Sequence, residues 1–260
     1  MKRNLFTDES LEKSYHSKGY IHIPNFLSGD ETNQLISLYK KKEKSFFDKG
    51  FHRTLDMTNI KKKKEVCNAI NNIIYPASQK YLNKYKYLLT SFMTKEKKAN
   101  EFDIHQNWTF VEEDKFTSLV IWIPLQDVSE HNGTLYFVEG SDKWDKGIRG
   151  NNIPWMYESQ KESLLQNMIA VPMKKGDAVI FDDATIHYTS PNFSTSPRIS
   201  IAQVMIPEEA NPIFYTFNQK NNTIDKYAID DSFYITFMNK VKDNTLLNDL
   251  ILLDSISIQK

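Results

Sequence analysis

The 260-residue chain contains a single cysteine, Cys67, so no internal disulfide framework can form and the fold must be held by packing. It also lacks any uninterrupted apolar run of about 18 residues, the length a membrane-spanning helix needs, so no segment reads as a membrane span. The opening stretch, MKRNLFTDES, carries no apolar leader. With the lone thiol, this places the chain in a reducing cytoplasm. Net charge is absent too, because Lys+Arg and Asp+Glu both total 33. No global field therefore draws the protein to nucleic acid or to acidic lipid. Arginine is scarce: Arg3, Arg53, Arg149 and Arg198 are the only ones among the 33 basic residues. In a chain that otherwise uses lysine, a well-placed arginine is informative.

Apolar residues make up 40% of the chain and aromatic residues 13%, enough to offset the entropy of ordering one domain spanning 1–260. Its N-terminal part, about 7–84, reads as helical. Thr7 precedes a short helix with Leu11 and Tyr15 on one face and Gly19 as its stop. Tyr20–Phe26 alternates like a strand, and Ser28 to Glu31 has capping-box spacing before a helix bearing Leu35, Leu38 and Tyr39. The run Lys61–Lys64 reads as a solvated helix entrance. Val66, Ala69, Ile70, Ile73, Ile74 and Ala77 continue at helical spacing, with Pro76 expected to bend or interrupt the helix.

Past residue 85 the period becomes strand-like. Tyr87–Met93, Glu101–Phe110, Phe116–Leu125, Thr134–Val138, Ala178–Phe181 and Ile199–Ile206 are rich in β-branched and aromatic residues and are separated by turn signals. Such strands without intervening helices argue for an antiparallel barrel or jelly roll over about 86–207. The expected class is mainly β with flanking helices (α+β). An insertion at 141–169, carrying Trp144, Trp155 and Tyr157, is expected to cover the barrel mouth. The extension 208–260 has helix-like spacing at Leu246, Leu247, Leu250 and Ile251 and is expected to pack outside.

His105 falls near the end of one predicted strand and His187 just after another, where rim loops gather functional groups. Imidazoles suit iron, zinc and copper, and two histidines with one oxygen ligand leave coordination positions open. Arg198 follows His187 by eleven residues, and its planar fork matches a carboxylate in a way lysine cannot. From spacing alone, the histidines read more readily as satisfied strand-end residues than as ligands, and the arginine as a surface cation.

HQNW at His105–Trp108, Trp122, NGTLYFVEGSDKW at Asn132–Trp144, GDAVIFDDATIHYT at Gly176–Thr189 and Arg198 occur in the order found in a known family, as does GYIHIPNFLSGDE at Gly19–Glu31. From about residue 10 to 207 the chain resembles the phytanoyl-CoA dioxygenase family of Fe(II)/2-oxoglutarate-dependent oxygenases. The resemblance implies a double-stranded β-helix (jelly roll, cupin-like) that uses Fe(II), 2-oxoglutarate as co-substrate, and O2. Mapped onto this sequence, the family's metal ligands fall on His105, position 107 and His187. Its co-substrate residues fall on Arg198 and Thr189, and Gln106 and Trp122 line the pocket. The implied reaction hydroxylates an unactivated C–H bond of a small metabolite (amino acid, peptide, acyl or natural-product intermediate), releasing succinate and CO2. The implied partner is a small-molecule substrate, with no nucleic acid and no membrane, and oligomeric state is left open.

Position 107 departs from the family, with Asn107 where aspartate is usual. An amide oxygen can coordinate a metal but brings no charge. Three consequences compete: Asn107 ligates through its oxygen, it steps aside for a halide or water, or the iron chemistry is lost. The alternatives to hydroxylation are accordingly a non-catalytic jelly-roll binding protein, or halogenation or desaturation. Asp103, two residues before His105, could face the same side of a strand and reach the metal. Asp182 and Asp183 read as turn residues or as partners that orient an imidazole.

Overall fold

Two-residue alternation along the strands builds two hydrophobic layers rather than one. The computed structural model describes residues 3–42, 50–100, 102–238 and 244–257. Its helices are α1 (Glu9–Lys18), α2 (Gly29–Lys42), α3 (Ile60–Ser78), α4 (Lys161–Gln166) and α5 (Phe233–Phe237). The strands of the first half are β1 (Tyr20–Ile23), β2 (Phe51–Arg53), β3 (Tyr85–Lys95), β4 (Phe102–His105), β5 (Leu119–Pro124) and β6 (Leu135–Phe137). Those of the second half are β7 (Ile169–Val171), β8 (Ala178–Asp182), β9 (His187–Thr189), β10 (Arg198–Pro207), β11 (Ile213–Asn218), β12 (Thr223–Ala228) and β13 (Ile251–Ser257). Every pairing between these strands is antiparallel.

A major sheet runs β1-β8-β5-β10-β3-β2 and a minor sheet β4-β9-β6-β7, with β11-β12-β13 as a separate three-stranded sheet. In β5, Val120 and Trp122 enter the cluster shared with Leu135 and Phe137 of the minor sheet. Leu119, Ile121 and Ile123 join the cluster that packs against α2 and α3. Strand β8 divides likewise, with Val179 and Phe181 inward and Ala178 and Ile180 towards the helices. The major sheet is thus buried on both faces, and this is the expected jelly roll with helices on its outer side.

Several local expectations meet the structure closely. Ser28 and Glu31 form the reciprocal capping box, Glu31 N–H donating to Ser28 Oγ at 3.2 Å and Ser28 N–H to Glu31 Oε2 at 2.8 Å. Gly19 ends α1 at φ 80°, although Asp8 rather than Thr7 caps its start. Others are corrected. Helix α3 is not interrupted at Pro76, which sits in its last turn, while Val66, Ile70, Ile74 and Ala77 are buried against the major sheet. That packing outweighs the backbone hydrogen bond proline forfeits. Lys63 is fully buried rather than solvated, although Lys61, Lys62 and Lys64 are exposed.

The 141–169 insertion does not roof the barrel. Trp155, Tyr157, Leu164 and Met168 pack with Ile104, Val138 and Ile186 on the minor sheet's outer face. The C-terminal extension is not confined to the outside either: Phe214, Phe233, Tyr234 and Ile235 belong to the inner core. Its helix-like spacing at Leu247, Leu250 and Ile251 gives a 3-10 turn at Asn244–Asp249 followed by exposed β13; the side chain of Leu246 lies outside the described residues. Among the described residues, no helix is long and apolar enough to cross a membrane.

Candidate metal and co-substrate site

Strand pairing brings the two sequence-distant histidines together. His105 at the end of β4 and His187 at the start of β9 are direct cross-strand partners, with ring centroids 4.2 Å apart. Each ring is held by a carbonyl two residues upstream: His105 Nδ1 is 2.7 Å from the Asp103 oxygen and His187 Nδ1 2.8 Å from that of Thr185. With Nδ1–H donating to a carbonyl, the Nε2 lone pair is left for a metal. Burial holds both imidazoles below their ordinary pKa, and His105 adds to the effect on His187. Phe181 meets His187 edge-on at 4.8 Å, fixing its plane. Both rings are therefore neutral and oriented.

Asn107 lines the same cavity but is tied from behind. Its backbone N–H donates to the Asp183 carbonyl and its Nδ2 to Asp183 Oδ1, both at 2.9 Å. Its own carbonyl accepts from Arg149 Nε at 2.7 Å, and Arg149 is in turn paired with Glu113. Burial pushes the Asp183 carboxyl up to about 7. Asp183 thus holds an amide rather than an imidazole, while Asp182 serves the turn, accepting from Tyr15 and from the Ala184 N–H. Asp103 is exposed and paired with Lys161. A register shift between Phe102 and His105 breaks the simple alternation that would have aimed it at the metal. Among the described residues, no three His, Cys, Asp or Glu side chains converge on one metal position.

At the cavity's other end, Arg198 is 1% exposed. Its guanidinium donates to Ser200 Oγ at 2.5 Å and lies over the Trp122 ring at 5.3 Å. Its Nε has no partner, and burial alone lowers its pKa to about 9, with no carboxylate among the described residues offsetting it. Gly133, in a turn at φ 88°, leaves space here, since a Cβ would lie 3.6 Å from that Nε. A buried cation without a counter-ion is costly, so this end is built for an anion. Thr189 stands alongside, its Oγ1 accepting from Lys95 Nζ at 2.7 Å, which leaves the hydroxyl hydrogen free to donate. Lys95 is the register partner of Arg198 in the β3–β10 pair.

One cavity of about 340 Å³ joins these features. Phe51, Leu55, Phe102, Trp108, Phe110 and Met238 supply much of its apolar wall. Gln106 also lines it, but its amide is committed to the Ala184 carbonyl at 2.7 Å and to Trp155 Nε1 at 3.1 Å. Of the insertion, Asn151 alone reaches the lining. Lys95, Arg149 and the amide-holding role of Asp183 were not foreseen. Arg149 could have been singled out as one of the four arginines, whereas Lys95 carries no motif.

Comparison with known proteins places these features in a family. Phytanoyl-CoA dioxygenase domain-containing protein 1 homolog of Dictyostelium discoideum is 26% identical over 164 residues, covering 58% of this chain and 56% of the relative. The chain thus matches little more than half of that relative's length. Among solved structures, the 2-oxoglutarate-dependent carbocyclase SnoK of nogalamycin biosynthesis aligns with a TM-score of 0.58 at 18% identity, covering 79% of this chain and 86% of SnoK. HygX of Streptomyces hygroscopicus, solved with nickel, 2-oxoglutarate and hygromycin B, gives 0.56 at 15% identity over 78% and 88% of the two chains. At these identities the likeness is one of fold. The family profile described as phytanoyl-CoA dioxygenase (PhyH) matches residues 15–200, which contain His105, Asn107, Asp183, His187, Thr189 and Arg198, and the chain belongs to this family.

Proposed function

We propose that this protein is an Fe(II)- and 2-oxoglutarate-dependent oxygenase that hydroxylates an unactivated C–H bond of a small molecule. His105, Asn107 and His187 would hold the metal, and Arg198 with Thr189 the distal carboxylate of 2-oxoglutarate. The observation that carries this reading is the pairing, within one cavity, of two oriented neutral imidazoles with a buried arginine that has no counter-ion among the described residues. With the metal bound, the chemistry supplied is oxidative decarboxylation of 2-oxoglutarate to succinate and CO2, coupled through O2 to oxygen transfer into the C–H bond.

The protein's own contribution is positional. The two Nε2 atoms present lone pairs, the guanidinium offers a planar pair of donors, and the Thr189 hydroxyl donates a further hydrogen bond. Trp122 supports the guanidinium from its face and so sets the direction of the co-substrate. The apolar wall excludes water and favours a hydrocarbon portion of the substrate near the histidines. HygX was solved with hygromycin B and SnoN with nogalamycin RO, both small molecules, which supports the same broad class here.

Asn107 favours a second reading, a binding protein that holds a small carboxylate at Arg198 without redox chemistry. Anaerobic titration of metal-free protein with Fe(II) and 2-oxoglutarate separates the two. A visible charge-transfer band in the wild type, lost in His187→Ala, is the expected result. Binding of 2-oxoglutarate with no band and no retained iron would replace the oxygenase with the binding protein.

A further inference from the structure

We infer that Asp183 is a positioning residue that makes Asn107 an oxygen donor to the metal and, with a cation bound there, supplies from its contact with the amide the negative charge the amide lacks. The inference rests on the reading of the site as an iron centre. An asparagine side chain has two chemically different ends, and only its oxygen can coordinate a cation. Left free, the amide would present either end to the cavity. Here the Asp183 carboxylate takes the Nδ2 end at 2.9 Å, and the Asp183 carbonyl holds the Asn107 backbone at the same distance. The amide plane is therefore fixed at two points by one residue, and Oδ1 lies on the branch away from the carboxylate. Asn107 lines the cavity together with His105 and His187, so the end of the amide left to the cavity is the oxygen.

The carboxylate itself is hard to explain otherwise. Asp183 is fully buried, and its Oδ2 closes no hydrogen bond of normal geometry among the described residues, although the Ser118 hydroxyl lies near enough to favour the ionised carboxyl. The turn before His187 is already served by Asp182, and both imidazoles are oriented by backbone carbonyls. An orphaned carboxylate oxygen in the interior is expensive. A divalent cation held by the adjacent amide offsets that cost, because the two opposite charges then share a low-dielectric region. The arrangement divides the work of a single aspartate ligand between two residues, one giving the oxygen and the other the charge.

The test is calorimetric titration of Ni(II), in the presence of 2-oxoglutarate, into wild type, Asp183→Asn, Asn107→Asp and the double exchange Asn107→Asp/Asp183→Asn. Asp183→Asn is expected to weaken Ni(II) binding by about 10–100-fold, the range for residues that support a ligand. Its metal-free melting temperature should be unchanged or raised, because a buried carboxyl that can ionise is exchanged for an amide that cannot. Asn107→Asp alone sets two carboxylates in contact, whereas the double exchange keeps one carboxylate and should bind Ni(II) at least as tightly as wild type. Ni(II) affinity of Asp183→Asn within twofold of wild type, or a double exchange no better than that single variant, overturns the inference while leaving the oxygenase reading in place. A wild type that takes up neither Ni(II) nor Fe(II) overturns both.

Discussion

Arg198 concentrates the energetics of the site in one side chain. Its guanidinium is buried with Nε unpartnered among the described residues, so its desolvation cost is carried by the metal- and ligand-free protein and would be relieved by a bound carboxylate. Charge-assisted hydrogen bonds of this kind contribute roughly 1.5–3 kcal/mol. Arg198→Ala should therefore weaken 2-oxoglutarate binding by about 10–100-fold with Ni(II) affinity little changed, as read by calorimetry. Unaltered co-substrate affinity would remove Arg198 from the site. At this scale the sequence was most legible where a residue's chemistry is unusual for its chain. His105, His187 and Arg198 could be singled out because each could be placed near a strand end and arginine is rare here. Lys95 could not, since one lysine among many reveals nothing until the β3–β10 register sets it beside Arg198 and Thr189. Asp183 reads from sequence as a turn residue or as a partner that orients an imidazole, because only the fold shows that backbone carbonyls already hold both rings.

Elements were legible in type and less so in extent. Periodicity located the capping box at Ser28, α3 and most strands of the major sheet, because burial on one or both faces writes itself into the order of apolar residues. Strands of three residues, such as β7 and β9, are too short to carry a period. Nor does spacing reveal a register shift like that in β4, which turned Asp103 outwards. The insertion was misplaced because its aromatics suit any apolar surface, and the uncovered one was the outer face of the minor sheet.

Within that insertion, Arg149 to Asn151 laces two elements together. Thr109 N–H donates to the Arg149 carbonyl at 2.9 Å, and Asn151 N–H to the Tyr215 carbonyl at 2.9 Å. Gly150 lies so close to β11 that a Cβ would meet the Tyr215 carbonyl oxygen at 2.4 Å. Gly150→Ala must therefore push β11 from the Asn107 loop, at a cost of roughly 1–3 kcal/mol. Gly29→Ala, at the exposed start of α2 with nothing within 4 Å, should be neutral or stabilising by up to about 1 kcal/mol. Urea unfolding of the two variants reads the difference. Equal midpoints would mean that the 149–151 segment is not under the constraint its packing implies.

At the scale of the whole molecule, the cavity is part of the inner core rather than a cleft beside it. Leu55, Leu89, Val120, Trp122, Leu135, Phe181 and Val204 line it and also belong to the cluster between the sheets. The C-terminal extension closes the same space, Tyr234 meeting Phe110 edge-on at 4.9 Å while Met238 reaches the cavity. Ligands held there bind the folded chain and have no comparable site on the unfolded one, so occupancy must raise global stability. At about 100 times its dissociation constant, one ligand adds roughly 2.7 kcal/mol. For a chain of this size that corresponds to roughly 5–10 °C in melting temperature. Thermal denaturation with Ni(II), with 2-oxoglutarate and with both should show increments that reinforce one another, since in the proposed site the metal and Arg198 would hold opposite ends of one co-substrate. Arg198→Ala should keep the metal increment and lose most of the co-substrate's, whereas His187→Ala should lose the metal increment. If 2-oxoglutarate stabilises Arg198→Ala as much as wild type, the co-substrate is held elsewhere, and the link between this cavity and the stability of the inner core does not run through Arg198.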